Sequence, residues 1–163
     1  MMMLTLTATP MARRWFDHAL PAVRDAVTGS ESPAAKARSV AGVLQGRLPG
    51  VGILTPDQLA GSPDRYQQHV LYVEPGGDFS VTALVWRPGQ QTTIHDHVCW
   101  CAVGVLQGVE HEITYLAGMS GQLIETGQRD SPSGDVSYFA PPGDIHRVRN
   151  IGTGVAVSLH VYG

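Results

Sequence analysis

Along the first sixty residues the apolar positions fall at helical spacing. Trp15, Phe16, Ala19, Leu20, Val23 and Val27 lie three or four apart, which predicts an amphipathic helix with one face turned to a core. Pro21 falls inside that run and is expected to kink or split it, since it lacks an N–H and crowds the preceding turn. Ser32-Pro33 reads as an N-cap followed by proline at the first helical position, opening a second helix through Val40, Val43 and Leu44. Thr55-Pro56-Asp57-Gln58 fits the capping box of a third, short helix.

From Tyr66 the pattern changes to short apolar runs divided by turn residues. Strands are expected over Tyr66–Val73, Phe79–Trp86, Cys101–Leu106, His111–Leu116, Leu123–Thr126, Val136–Phe139 and Val155–Tyr162. Many short strands at regular spacing predict a sandwich or barrel rather than an α/β sheet. The expected organisation is one domain over 1–163, with a helical segment at 1–62 and a β-barrel at 63–163. Composition agrees: 19 glycines, 11 prolines and only 15% charged residues suit a turn-rich β protein.

A formal charge of −3 gives no basic surface for nucleic acid. The apolar stretch before Arg13-Arg14 is broken by Thr and Pro, unlike a signal peptide, and no run approaches a membrane span. A cytoplasmic location is expected, with Met1–Pro10 as a loose arm. Cys99 and Cys101, the only cysteines, have no zinc-type spacing and are expected to stay reduced.

Seven histidines are present. His95 and His97 flank Asp96, so on an extended strand both imidazoles would face one side, as a metal requires. By itself His-x-His is weak evidence. Its surroundings add to it: Gly89, five residues, His95-Asp96-His97, three residues, Cys101, six residues, Gly108. Downstream, Pro141-Pro142-Gly143-Asp144-Ile145-His146 leads to Asn150. These blocks resemble the two cupin motifs, which implies a mainly β cupin barrel (a double-stranded β-helix or jelly roll) with metal on His95, His97 and His146. Gly134 stands one residue further from Pro141 than the usual pattern, and Cys101 replaces the glutamate that many cupins use as a fourth ligand. Three imidazoles without a carboxylate leave positions open on Fe(II); zinc on the same histidines is the competing possibility.

The final run supplies a second pattern. Period-2 alternation puts Ser158, His160 and Tyr162 on one strand face, able to hydrogen-bond in series. At the end of a His-Asp-His cupin, Ser-x-His-x-Tyr resembles the second-sphere triad of the cysteine dioxygenase family. Tyr66-Gln67-Gln68, Trp86 and Trp100 resemble that family too, and the likeness runs from Tyr66 to Gly163.

The resemblance implies Fe(II) on the three histidines and Tyr162 orienting a small thiol and O₂, held by His160 and Ser158. Gln68 stands where the family meets the substrate carboxylate, with Tyr66 and Trp86 near it. Arg there marks the cysteine-specific branch and Gln the 3-mercaptopropionate branch. Vertebrate-type members join a cysteine at the Cys101 position to the active-site tyrosine, here Tyr162; a small buried hydrophobe is the alternative role for Cys101. The family also continues past the His-Val-Tyr-Gly run with a tail that helps close the site. His18, His69 and His111 are expected to be ordinary helix or strand residues, and Glu110 and Glu112 a solvated strand face.

The implied reaction takes a small thiol carboxylate, 3-mercaptopropionate above cysteine, to its sulfinic acid with both atoms of O₂. Three rivals stand beside it: a cysteine dioxygenase, a cupin isomerase, lyase or hydrolase using Zn, Ni or Mn, and a cupin that only binds a small ligand. The barrel alone selects none of them.

Overall fold

The computed structural model describes residues 8–163. Three α-helices come first: α1 (Pro10–Thr28), α2 (Pro33–Leu44) and α3 (Pro56–Ala60), with a 3₁₀ turn at Val51–Ile53. Each α-helix starts where its cap predicts. Thr9 accepts from the Ala12 N–H, Ser32 from the Ala35 N–H, and Thr55 and Gln58 form the reciprocal capping box. Of the expected loose arm, residues 1–7 lie outside the described residues, while Thr9 and Pro10 cap and open α1.

Pro21 does not split α1. The helix runs through it, because Pro21 and Asp17 both lie on the exposed face. The Asp17 carbonyl that loses its partner can therefore turn to solvent. The opposite face buries Phe16, Leu20, Val23 and Val27.

Eight strands follow: β1 (Gln67–Val73), β2 (Ser80–Trp86), β3 (Cys101–Gln107), β4 (Val109–Ala117), β5 (Leu123–Pro132), β6 (Val136–Phe139), β7 (His146–Asn150) and β8 (Ala156–Tyr162). They form an antiparallel five-stranded sheet, β1-β2-β8-β3-β6, and a three-stranded sheet, β5-β4-β7. This is the mainly β architecture, with its N-terminal helical segment, that the cupin motifs imply. β5 extends well past the expected Thr126 and β7 was not expected at all. Both carry few apolar residues: β5 is largely exposed, and β7 reads His-Arg-Val-Arg-Asn.

The central strands β2, β8 and β3 of the five-stranded sheet are largely buried on both faces, and alternation divides their residues between them. Val81, Ala83 and Val85 of β2 and Val157, Leu159 and Val161 of β8 join the helical residues in one apolar core. Each buried Val or Leu among them contributes on the order of 1.5–3 kcal/mol. Gly104 of β3 turns to the same side, where an added Cβ would lie 2.2 Å from the Leu48 side chain and would push it aside. The other face of the sheet looks across a cavity at β4, β5 and β7. No helix of the described residues is long and apolar enough to cross a membrane.

Candidate metal centre and its cavity

His95 and His97 are not on a strand, as the His-x-His spacing predicts, but in the connection between β2 and β3. Pairing with β7 orients His95 instead, and a bond to Asp144 holds His97. His95 and His146 exchange two backbone hydrogen bonds, of 2.9 and 2.8 Å, so their side chains leave the same face side by side. The three imidazoles stand nearly equidistant, with ring centroids 4.7, 5.0 and 5.1 Å apart. One nitrogen from each ring lies within 4.8 Å of the others.

The outer nitrogens decide what the inner ones can do. His95 Nδ1 is 3.1 Å from the Thr93 carbonyl, His97 Nδ1 2.7 Å from Asp144, and His146 Nδ1 2.5 Å from Glu112. A carbonyl or carboxylate only accepts, so each Nδ1 carries a proton and Nε2 is the nitrogen left to bind a metal. Burial also holds the His95 pKa below its ordinary value, which favours the neutral, ligating form. The set fits a divalent cation with three neutral nitrogen donors.

Glu112 therefore corrects the expectation of a solvated face, and so does Glu110. Both point from β4 into the cavity, while His111 between them turns outward to Asp130. Glu110 is only 5% exposed, and burial pushes its carboxyl up to about 7. Asp144 also had no role on sequence grounds. Alternation puts Glu110 and Glu112 on one face, but it does not say whether that face meets water or a cavity.

The Ser158–His160–Tyr162 series forms. Ser158 Oγ lies 2.9 Å from His160 Nε2, and Tyr162 Oη 2.9 Å from His160 Nδ1. Burial first, and then the three neighbouring imidazoles, press the His160 pKa down to about 3, so it is neutral. Burial drives the Tyr162 phenol far above its usual range, so it keeps its proton. The Trp86 indole N–H reaches Ser158 Oγ at 3.4 Å.

Tyr66 stacks on Trp86 with centroids 4.3 Å apart, and Gln68 joins them on the cavity wall. Cys101 is the register partner of Tyr162; burial raises its thiol well above the usual range, in keeping with a packed apolar group. Both cysteines are free. His18 lies exposed on α1 and bonds the Arg14 carbonyl. His69 sits on β1 away from the imidazole cluster.

Glu112→Ala and Asp144→Ala should each lower metal affinity by about 10–100-fold, by releasing one imidazole from its fixed tautomer and orientation. Metal titration of the purified variants measures this, and wild-type affinity in both would remove the anchoring role.

The family model described as "Cysteine dioxygenase type I" matches residues 61–163. Among solved structures, the chain is similar to a protein from Thermus thermophilus, at 22% identity over 68% of this chain and 95% of that one, with a TM-score of 0.47. It is similar to an rmlc-like cupin protein from Desulfovibrio desulfuricans, at 19% identity over 62% and 85%, with a TM-score of 0.43. A Cupin 2 conserved barrel domain protein from Salinispora arenicola shares 22% identity over 60% and 73%, with a TM-score of 0.44.

Proposed function

The chain belongs to the cysteine dioxygenase type I family, and from that premise we propose that it is an Fe(II)-dependent thiol dioxygenase acting on a small mercapto-acid, 3-mercaptopropionate before cysteine. The observation that supports this most is the convergence, in one cavity, of three Nε2 lone pairs and the Tyr162 end of the Ser158–His160–Tyr162 series. When bound, Fe(II) supplies the Lewis acidity and redox capacity that a thiolate and O₂ need in order to react. His95, His97 and His146 would hold it.

The protein's own groups do the rest. Gln68 offers its amide N–H to the substrate carboxylate, which sets the distance between carboxylate and sulfur. The stacked Tyr66–Trp86 pair walls the cavity beside it and keeps water from the reacting end. Tyr162 keeps its proton and, steadied by His160, presents its hydroxyl to the substrate. Holding the reactants together in a fixed geometry lowers the barrier by proximity. The balance is RSH + O₂ → RSO₂H.

The test is an oxygen-electrode assay of the iron-loaded protein against a panel of small thiols, with sulfinate measured in the same samples. O₂ uptake matched by sulfinate supports the reading. No uptake with any thiol, in protein that holds metal, would hand the site to the isomerase, lyase, hydrolase or simple-binder alternatives.

Specificity gives a sharper prediction. A neutral amide binds a carboxylate more weakly than the forked, charged guanidinium of Arg. An amino-acid zwitterion thus loses its strongest anchor, while a plain mercapto-acid still binds through sulfur and one hydrogen bond. Catalytic efficiency should be higher with 3-mercaptopropionate than with L-cysteine, mostly through KM. Gln68→Arg should shift that ratio toward cysteine by about tenfold, the worth of a charge-assisted over a neutral hydrogen bond. Equal efficiencies unmoved by the substitution would defeat the assignment.

A further inference from the structure

Glu110 and Glu112 line the cavity, and a third carboxylate, Asp144, bonds the lining His97. Glu112 and Asp144 are engaged by His146 and His97. Glu110 is different: it is buried, and its Oε1 has no hydrogen-bond partner among the described residues. Its carboxyl is near enough to the Ser158 hydroxyl and the Trp86 indole for both to favour its ionised form, while the hydrogen bonds of Ser158 Oγ run to Trp86 Nε1 and His160 Nε2. Glu110 therefore stands at the far end of the Ser158–His160–Tyr162 series from the metal centre.

The series can run in only two ways. A neutral imidazole has one N–H and one lone pair, and Ser158 has one proton. If Glu110 is ionised it accepts from Ser158. His160 must then donate from Nε2 to Ser158, and its bare Nδ1 takes the Tyr162 proton. Tyr162 then shows lone pairs to the cavity. Protonation lets Glu110 donate to Ser158, and the series reverses when it does, with Ser158 donating to His160 Nε2. His160 donates from Nδ1 to Tyr162, whose own proton is free to point into the cavity.

We propose that Glu110 sets the direction of these hydrogen bonds and so decides whether Tyr162 offers a proton or a lone pair to the substrate. This rests on the reading of Tyr162 as the substrate-facing residue. Glu110 is a positioning residue, acting through Ser158 and His160.

The surrounding charges make both states accessible near neutral pH. On β4, Glu112 pushes the Glu110 pKa up in addition to burial, and the value is about 7. On β7, its register partner is Asn150, with His146 further along and bonded to Glu112. On β5, its partner is Ser131, while Arg129 is turned to Asp135. β8 contributes Ser158 and the neutral His160, β2 contributes Trp86, and β3 lines this wall with Val103 and Val105. None of the described residues lining the cavity is Lys or Arg. As pH rises through the Glu110 value the carboxyl ionises, and Tyr162 turns from donor to acceptor.

The test follows the His160 tautomer by ¹⁵N NMR in the full chain, with and without Zn(II) as a diamagnetic metal, while ¹³C-labelled Glu110 reports its own titration. Below neutrality His160 should carry its proton on Nδ1, and above it on Nε2, with the change tracking Glu110. Glu110→Gln should abolish the pH response, and Ser158→Ala should uncouple the tautomer from a Glu110 that still titrates. A wild-type tautomer that stays fixed while Glu110 titrates would overturn the proposal, whatever the variants do. So would a switch that survives Glu110→Gln. In iron-loaded protein, kcat/KM should fall above neutrality, and Glu110→Gln should remove that limb. Absence of O₂ uptake in every protein would count against the dioxygenase reading alone, since the tautomer readout needs neither iron nor turnover.

Discussion

Replacing His146 by alanine should strip most of the iron and nearly all O₂ uptake, and the same holds for His95 and His97. Three neutral nitrogens are the whole protein-derived donor set of this cluster, so losing one removes a third of the ligand field. The effect should exceed the roughly 10–100-fold expected when only an outer partner is lost. His146→Ala also leaves Glu112 without the N–H it accepts, and an unpaired buried acceptor costs about 1–3 kcal/mol of stability. Circular dichroism should accompany the metal analysis to separate unfolding from loss of metal. His111→Ala is the control, because His111 faces Asp130 outside the cavity and its loss should change neither iron nor turnover. Full iron content in folded His146→Ala protein would sink the assignment.

Tyr162→Phe should keep its iron and lose turnover by about 10²–10⁴-fold, the usual worth of a positioned proton-transfer group. The substitution preserves what is structural about Tyr162. Its ring still stacks against His160, with centroids 5.5 Å apart, and its backbone still pairs with Ser80 and Cys101. Only the hydroxyl and its 2.9 Å bond to His160 Nδ1 disappear. If Gln68 and the metal hold the two ends of the substrate as proposed, the Phe variant keeps both anchors and kcat should fall far more than KM rises. Iron analysis beside steady-state kinetics measures both, and a Phe variant that turns over like the wild type would remove Tyr162 from the chemistry.

Short-range signals in the sequence were enough for much of the structure. The caps at Thr55 and Ser32 act over three residues, so their effect could be read from the letters alone. Alternation along β8 worked for a related reason. Val157, Leu159 and Val161 need an apolar neighbour, and their spacing forces Ser158, His160 and Tyr162 to the opposite face together. The three clustered histidines were legible because His95-Asp96-His97 and the Pro141–Asn150 block keep their internal spacing.

What the letters could not carry is which surface lies opposite which. Pro21 was tolerated because its turn faces solvent, a property of packing and not of the residue. β7 gave no strand signal because His146 and Asn150 turn inward to polar partners, not to a core. His95 meets His146 by pairing with β7 across about fifty residues of chain, where the sequence suggested a local strand. Glu110 and Glu112 looked like a wet face for the same reason. A polar stripe reads alike toward water or toward a buried site, and only closure of the two sheets turned it toward Ser158 and His146. Short-range signals determined the helices and most of the strands; the meeting of distant faces, a long-range and cooperative outcome, decided where the clustered site lies.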